Sequence, residues 1–332
     1  SNSAGSKSIE GVQTMLTRLS VPGVVLGALI TAAPALASVP SLVDPAWLAD
    51  RLDQDDVAIL DVRSPIDDGN RVAFSEGHIP GAVDAGYTRH PWRAEQEGVT
   101  GQLPPVEQLE GLIEGFGVDN ADTVVIVPAG TGATDFGSAA RVYWTFKALG
   151  HEQVTILNGG YQGWLEAGHG TADGAVSVAP GEFNADLQTD MIVTTADVEQ
   201  ADDRGLQLID ARPAEFFEGD RQHPGARVAG TIPGAINLPH KDFIRQEEVW
   251  RFDPASVNSA IDADTLTEGR RPVSFCNTGH WATTTWFALS EVRGIDDVGL
   301  YDGSMVAWTA SESRPVDVAK RGLARILEFF GG

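Results

Sequence analysis

A single cysteine, Cys276, stands in 332 residues, so no internal disulfide can form and the fold must be held by its cores. Lysine is nearly as scarce. Only Lys7, Lys147, Lys241 and Lys320 occur, and arginine supplies most of the 23 cationic side chains set against 47 acidic ones. The net charge of −24 and pI of about 4.5 create a field that repels nucleic acid and anionic lipid, and neither is expected as a partner. The acidity reads as a solubilising surface, with adaptation to high salt as the alternative. Seven histidines are scattered and, with one cysteine, show no ligand spacing, so neither a metal site nor a cofactor is expected.

Long apolar runs are also missing. Residues 19–33 follow Arg18 and are mostly apolar, but Pro22, Gly23 and Gly27 interrupt them, and the run falls short of the roughly 20 residues that span a bilayer. Ala35-Leu-Ala37 then supplies a small-x-small cleavage pattern. Residues 1–37 therefore read as upstream sequence and a signal peptide cut after Ala37. The mature chain is expected in the periplasm or secreted, off the membrane after cleavage. A lone thiol in an oxidising compartment is a chemical liability, which favours its retention for reactivity over a role as inert packing.

What is present is a duplication. Val57-Ala-Ile-Leu-Asp-Val-Arg63 returns as Leu206-Gln-Leu-Ile-Asp-Ala-Arg212, and Gly77-His-Ile-Pro-Gly-Ala82 returns as Gly230-Thr-Ile-Pro-Gly-Ala235. Further buried strands are expected at 123–127 and 272–275, each followed by a polar loop and a helix, at 138–149 and 282–292. Each half closes on a strand, a glycine turn and a tryptophan, Trp164 and Trp308. Alternating strands and helices predict α/β units with mainly parallel sheets flanked by helices on both faces. The composition is enough for two cores. The expected domains are 40–169 and 185–325, joined by a linker at 170–184, where Gly, Ala, Ser and Pro replace any periodic pattern.

These motifs, repeated in one order over about residues 40–317, resemble the tandem rhodanese (thiosulfate/3-mercaptopyruvate sulfurtransferase) family. The resemblance implies two rhodanese-like domains, the first inactive and the second catalytic. The repeat aligns Cys276 with Pro128, which can be no nucleophile and lacks an amide hydrogen. His78 belongs to a turn of the empty half and reads as structural.

The loop Cys276-Asn277-Thr278-Gly279-His280-Trp281-Ala282 lies between an expected strand and an expected helix, so successive amides can converge on an anion. The helix N-terminus favours negative charge there, and Gly279 lets the loop turn. The implied chemistry takes sulfur from a small thiosulfate-like or mercaptopyruvate-like donor onto Cys276 as a persulfide. The sulfur then passes to a thiol, another nucleophile or a protein acceptor. Asp210 and Arg212 are expected to support the cleft floor. His280 is a candidate anion donor or proton shuttle, and Trp281 a candidate wall.

The loop departs from the family in two ways. Asn277 and Thr278 stand where thiosulfate-using relatives carry basic residues. Phe216 stands six residues after Asp210, where an arginine usually holds the donor anion. Arg227 and Lys241, with Arg221 and Arg245, are the candidate substitutes, set against ordinary surface charge. A phosphatase would need an arginine at the position of Ala282, and a cysteine hydrolase a partnered histidine and a third orienting group. The main rival is a periplasmic sulfur carrier or binding module with little turnover of small donors.

Overall fold

A computed structural model describes residues 39–66, 73–262 and 266–318. The export signal expected over 1–37, and the stretch 319–325 assigned to the second domain, lie outside the described residues.

The apolar run Val57–Asp61 pairs in parallel with Thr123–Val127 along its whole length. Val154–Leu157 and then Leu42–Val43 extend the sheet on one side, and Val83–Asp84 on the other. The second half repeats this plan. Leu206–Asp210 pairs in parallel with Arg271–Phe275, with Gly299–Leu300 and Ile236–Asn237 outside them. Parallel strands need crossover connections, and helices packed on both faces explain why these strands read as apolar runs without alternation. The expected pair of α/β units is what the chain forms. Asp61 sits opposite Val127 and Asp210 opposite Phe275, so Pro128 and Cys276 leave their sheets at equivalent points, beyond the carboxyl ends of the strands. Open parallel sheets bind ligands at that edge.

The helix expected at 138–149 spans Ala133–Ala148 and is buried almost throughout. A helix without a polar face must be covered on every side, and this one packs against Trp281–Phe287, the helix that follows the cysteine loop. Tyr143 and Phe287 meet edge to face at 5.1 Å, and Phe136 lies 5.9 Å from Phe287. One apolar cluster therefore runs from Leu60, Val124 and Trp144 of the first half to Ile209, Cys276 and Phe287 of the second. The buried residues of two smaller clusters come from one half each, with Val99 of the first-half hairpin packed against the second-half cluster. The two cores expected from composition are joined at this helix pair. The second helix starts at Trp281, one residue before the expected position, and its last turn, Ala288–Val292, is a π-helix.

Each half also sends a short antiparallel hairpin across to the other. Ala94–Gln96 with Val99–Gln102 leads to Leu103, whose amide donates to Asp302 Oδ2 at 2.7 Å. Ile244–Arg245 with Arg251–Phe252 brings the Trp250 amide to the Gly130 carbonyl and locks Phe252 to Asn158 through two hydrogen bonds. The segment 170–184 is fastened to the first half. Ala172 bridges to His78, Phe183 is buried, and Asn184 exchanges hydrogen bonds with Asn120.

Candidate active site

Strand Arg271–Phe275 delivers Cys276 to the junction of the two halves, where its side chain is 1% exposed. The loop that follows is built around Ser304. Its Oγ accepts from the amides of Cys276 at 3.0 Å and Gly279 at 3.1 Å, and donates to the Tyr301 carbonyl at 2.9 Å. Ser304 holds a left-handed φ of +51°, where the first half has Gly160 at +55°. A serine in that conformation is strained, and the hydrogen bonds to the loop are what the strain secures. Gly279, at φ +71°, lies so close to the second half's closing turn that a Cβ there would meet the Asp302 carbonyl oxygen at 2.7 Å.

The amides of Asn277, Thr278, His280, Trp281 and Ala282 find no acceptor among the described residues. The first half supplies the comparison. There Pro128 accepts from the Tyr161 amide and Ala129 from the Gln162 amide, just as Cys276 accepts from Met305 and Asn277 from Val306. In that copy the loop amides of Ala129, Gly130 and Thr131 close on the carboxylate of Asp135, at 3.0, 2.7 and 3.4 Å. One loop is filled by its own anion, and its counterpart carries the cysteine and free donors.

Asp210 and Arg212 form a buried floor. Arg212 Nε and Nη2 grip the Asp210 carboxylate, Nη2 also donates to the Gly230 carbonyl at 2.7 Å, and Nη1 reaches Asn277 Oδ1 at 3.4 Å. Asp61, Arg63 and the Gly77 carbonyl repeat the arrangement in the first half. Arg212 thus spends its donors on the protein, tying the first strand of its sheet to the cysteine loop.

His280 corrects the expectation of a proton shuttle. Its Nε2 donates to the Thr134 carbonyl at 2.9 Å and its Nδ1 accepts from Tyr87 Oη at 2.8 Å, both groups of the first half. Burial, with Arg93 nearby, pushes its pKa down to about 3, so it stays neutral and fully engaged. His78 likewise binds the Phe74 carbonyl and stacks on the Phe74 ring.

Trp281 is half-buried, stacked on His240 at 4.7 Å and edge-on to Phe216 at 5.9 Å. Phe216 is buried, with Arg221 lying over its ring. The candidate cations do not come to the loop. No hydrogen bond or ion pair joins Arg227, Lys241 or Arg245 to residues 276–282 among the described residues. Arg227 lines a separate cavity of about 590 Å³ with Thr309 and Arg314, Lys241 is exposed, and Arg245 pairs with Asp253. These long side chains keep their charged ends toward solvent, Arg245 with a carboxylate partner of its own.

Besides Arg212, the cations that reach the loop come from the first half. Arg141, fully buried on Ala133–Ala148, donates to the Gly279 carbonyl at 3.2 Å and pairs with Asp302 at 3.4 Å. Arg93 Nη2 reaches Thr278 Oγ1 at 3.3 Å. Reading the sequence for cations in the cysteine's own half overlooked both. Ser304 was legible only as the residue that replaces Gly160 in the repeated turn.

The rhodanese-like domain family matches residues 44–167 and 194–311. The chain belongs to the rhodanese-like family. It is 32% identical over 281 residues to a 3-mercaptopyruvate sulfurtransferase of Escherichia coli (strain K12), an alignment covering 82% of this chain and 96% of that protein. It is 27% identical over 279 residues to the sulfur carrier protein TtuD of Thermus thermophilus, covering 80% and 93% of the two chains. The crystal structure of a 3-mercaptopyruvate sulfotransferase from Escherichia coli superposes with a TM-score of 0.68 at 27% identity, covering 80% of this chain and 99% of that one. Both halves described above are thus rhodanese-like domains, and the loop at Cys276 belongs to the second.

Proposed function

We propose that this protein is a sulfurtransferase that carries sulfane sulfur as a persulfide on Cys276. The contrast between its two loops carries the reading. The first copy closes its amides on the Asp135 carboxylate, whereas the second leaves its amides open beside a cysteine. A backbone shaped for negative charge, but lacking its own, accommodates a thiolate or the terminal sulfur of a persulfide. The family membership and the sulfur-transfer names of its relatives point the same way.

With thiosulfate as donor, the Cys276 thiolate attacks the outer sulfur, the S–S bond breaks and sulfite leaves with the bonding pair. An acceptor thiolate then attacks the outer sulfur of Cys276–S–S⁻, giving the acceptor persulfide and restoring the thiolate. Two half-reactions give ping-pong kinetics. Export directed by residues 1–37 would place this chemistry in the periplasm or outside the cell.

Intact mass spectrometry after exposure to thiosulfate or mercaptopyruvate tests the proposal. The wild type should gain the mass of one sulfur atom and the Cys276→Ser variant none; equal behaviour of the two would refute it. A carrier that receives sulfur from a protein is the second reading, supported by the likeness to the sulfur carrier protein TtuD. It predicts a stable persulfide with near-background turnover of both small donors.

A further inference from the structure

We propose that Arg93, from the domain without a cysteine, supplies the cation that binds the anionic end of the sulfur donor at Cys276. This deepens the sulfur-transfer reading and rests on it for the identity of the anion.

Arg93 precedes the hairpin that the first domain sends across to the second. Its Nη2 lies 3.3 Å from Thr278 Oγ1 and its Nη1 lies 3.3 Å from Tyr87 Oη, both neutral hydroxyls at long range. Its Nε is buried and finds no hydrogen-bond partner among the described residues. Among the described residues Arg93 makes no ion pair. A half-buried guanidinium without a carboxylate is costly unless an anion completes it. Burial opposes its charge, but Tyr87, Cys276 and Asp302 more than compensate and hold its pKa above the ordinary arginine value.

The neighbouring cations are committed elsewhere. Arg212 is taken up by Asp210, Gly230 and Asn277, and Arg141, although its Nε is also unpartnered among the described residues, has the Asp302 carboxylate and the Gly279 carbonyl. Beside Trp281 the second domain offers the buried Phe216 and no further cation joined to the loop among the described residues. The approach of Arg93 is itself built in. Gly101 lies in the second strand of the hairpin, at the register shift opposite Ala94 and Glu95, with φ +92°, and a Cβ there would meet the Thr278 carbonyl oxygen at 2.5 Å and Arg93 Nη2 at 2.6 Å. The planar fork of arginine suits a carboxylate or the sulfonate-like end of thiosulfate, so the donor class is a small sulfur-bearing anion.

Calorimetric titration of thiosulfate into Cys276→Ser protein separates binding from turnover. Adding Arg93→Ala should weaken binding at least tenfold, Arg93→Lys should restore part of it, and Arg245→Ala should change nothing. With the thiol present, the Cys276 thiolate of Arg93→Ala should attack the central sulfur of dimethyl trisulfide, a neutral donor, at the wild-type rate, releasing methanethiolate and leaving the methyl trisulfide on Cys276, while loading from thiosulfate falls. Unchanged thiosulfate affinity, no binding to the Cys276→Ser parent, or equal loss with the neutral donor would overturn the proposal. If wild-type Cys276 took no sulfur from any donor, the sulfur-transfer reading would fall. The binding comparison, made without the thiol, would still decide for or against Arg93.

Discussion

Removing the Ser304 hydroxyl strikes the cysteine loop at its support. In Ser304→Ala the amides of Cys276 and Gly279 lose their acceptor and the Tyr301 carbonyl loses its donor, all at a fully buried position. Leaving a buried donor or acceptor unsatisfied costs about 1–3 kcal/mol. Some relaxation is available, so a total near 3 kcal/mol is expected for the three groups. Alanine keeps the left-handed strain, whereas Ser304→Gly relieves roughly 1–2 kcal/mol of it. Glycine gives back up to about 1 kcal/mol through the entropy of the unfolded chain. The glycine variant should therefore be no less stable than the alanine variant, and both should fall well below wild type. Urea unfolding followed by circular dichroism measures the order, and persulfide loading of Cys276 should drop at least tenfold in both. An alanine variant within about 0.5 kcal/mol of wild type would refute the account of the loop, since that is the scatter of an ordinary surface substitution.

Burial holds His280 and His240 neutral, with pKa values pushed down to about 3 and about 4. Unfolded histidine titrates near 6.5, so below that pH the unfolded chain takes up protons that the folded chain refuses. Stability should fall by up to roughly 1.4 kcal/mol per pH unit for each histidine between about 6.5 and 4. Melting temperatures across pH 7.5 to 5 should show this decline, with a shallower slope in His280→Gln; identical slopes would contradict it. Asp135→Ala opens the first-domain loop by freeing the amides of Ala129, Gly130 and Thr131. The variant should lose about 2–4 kcal/mol, and added sulfate should raise its melting temperature more than that of wild type. Equal sulfate effects would count against an anion-shaped loop.

The sheets were legible because parallel strands buried on both faces announce themselves as apolar runs, and because Asp61-Val-Arg63 and Asp210-Ala-Arg212 mark the same edge twice. The cysteine loop was legible for the same reason: a strand, a polar turn with Gly279 and a helix stand in line. The other half of the site was not. Arg93, Tyr87 and Arg141 lie far from Cys276 along the chain, and tertiary packing alone brings them to it. His280 looked like a titrating group because sequence shows the imidazole but not the Tyr87 and Thr134 oxygens that occupy both its nitrogens. Helix Ala133–Ala148 starts early because Asp135 fills the loop before it, an effect that periodicity does not register.

The reciprocal hairpins bear on how such a duplicated protein can change. The copy without a thiol still holds the other's loop through Tyr87, Arg93, Arg141 and Thr134, so a substitution on its surface facing the seam reaches the loop as directly as one in the loop itself. Separating the copies would strip a wall and its charges from the loop around Cys276, so a lone second domain would need substitutes for Tyr87, Arg141 and Thr134 to keep that loop as it is.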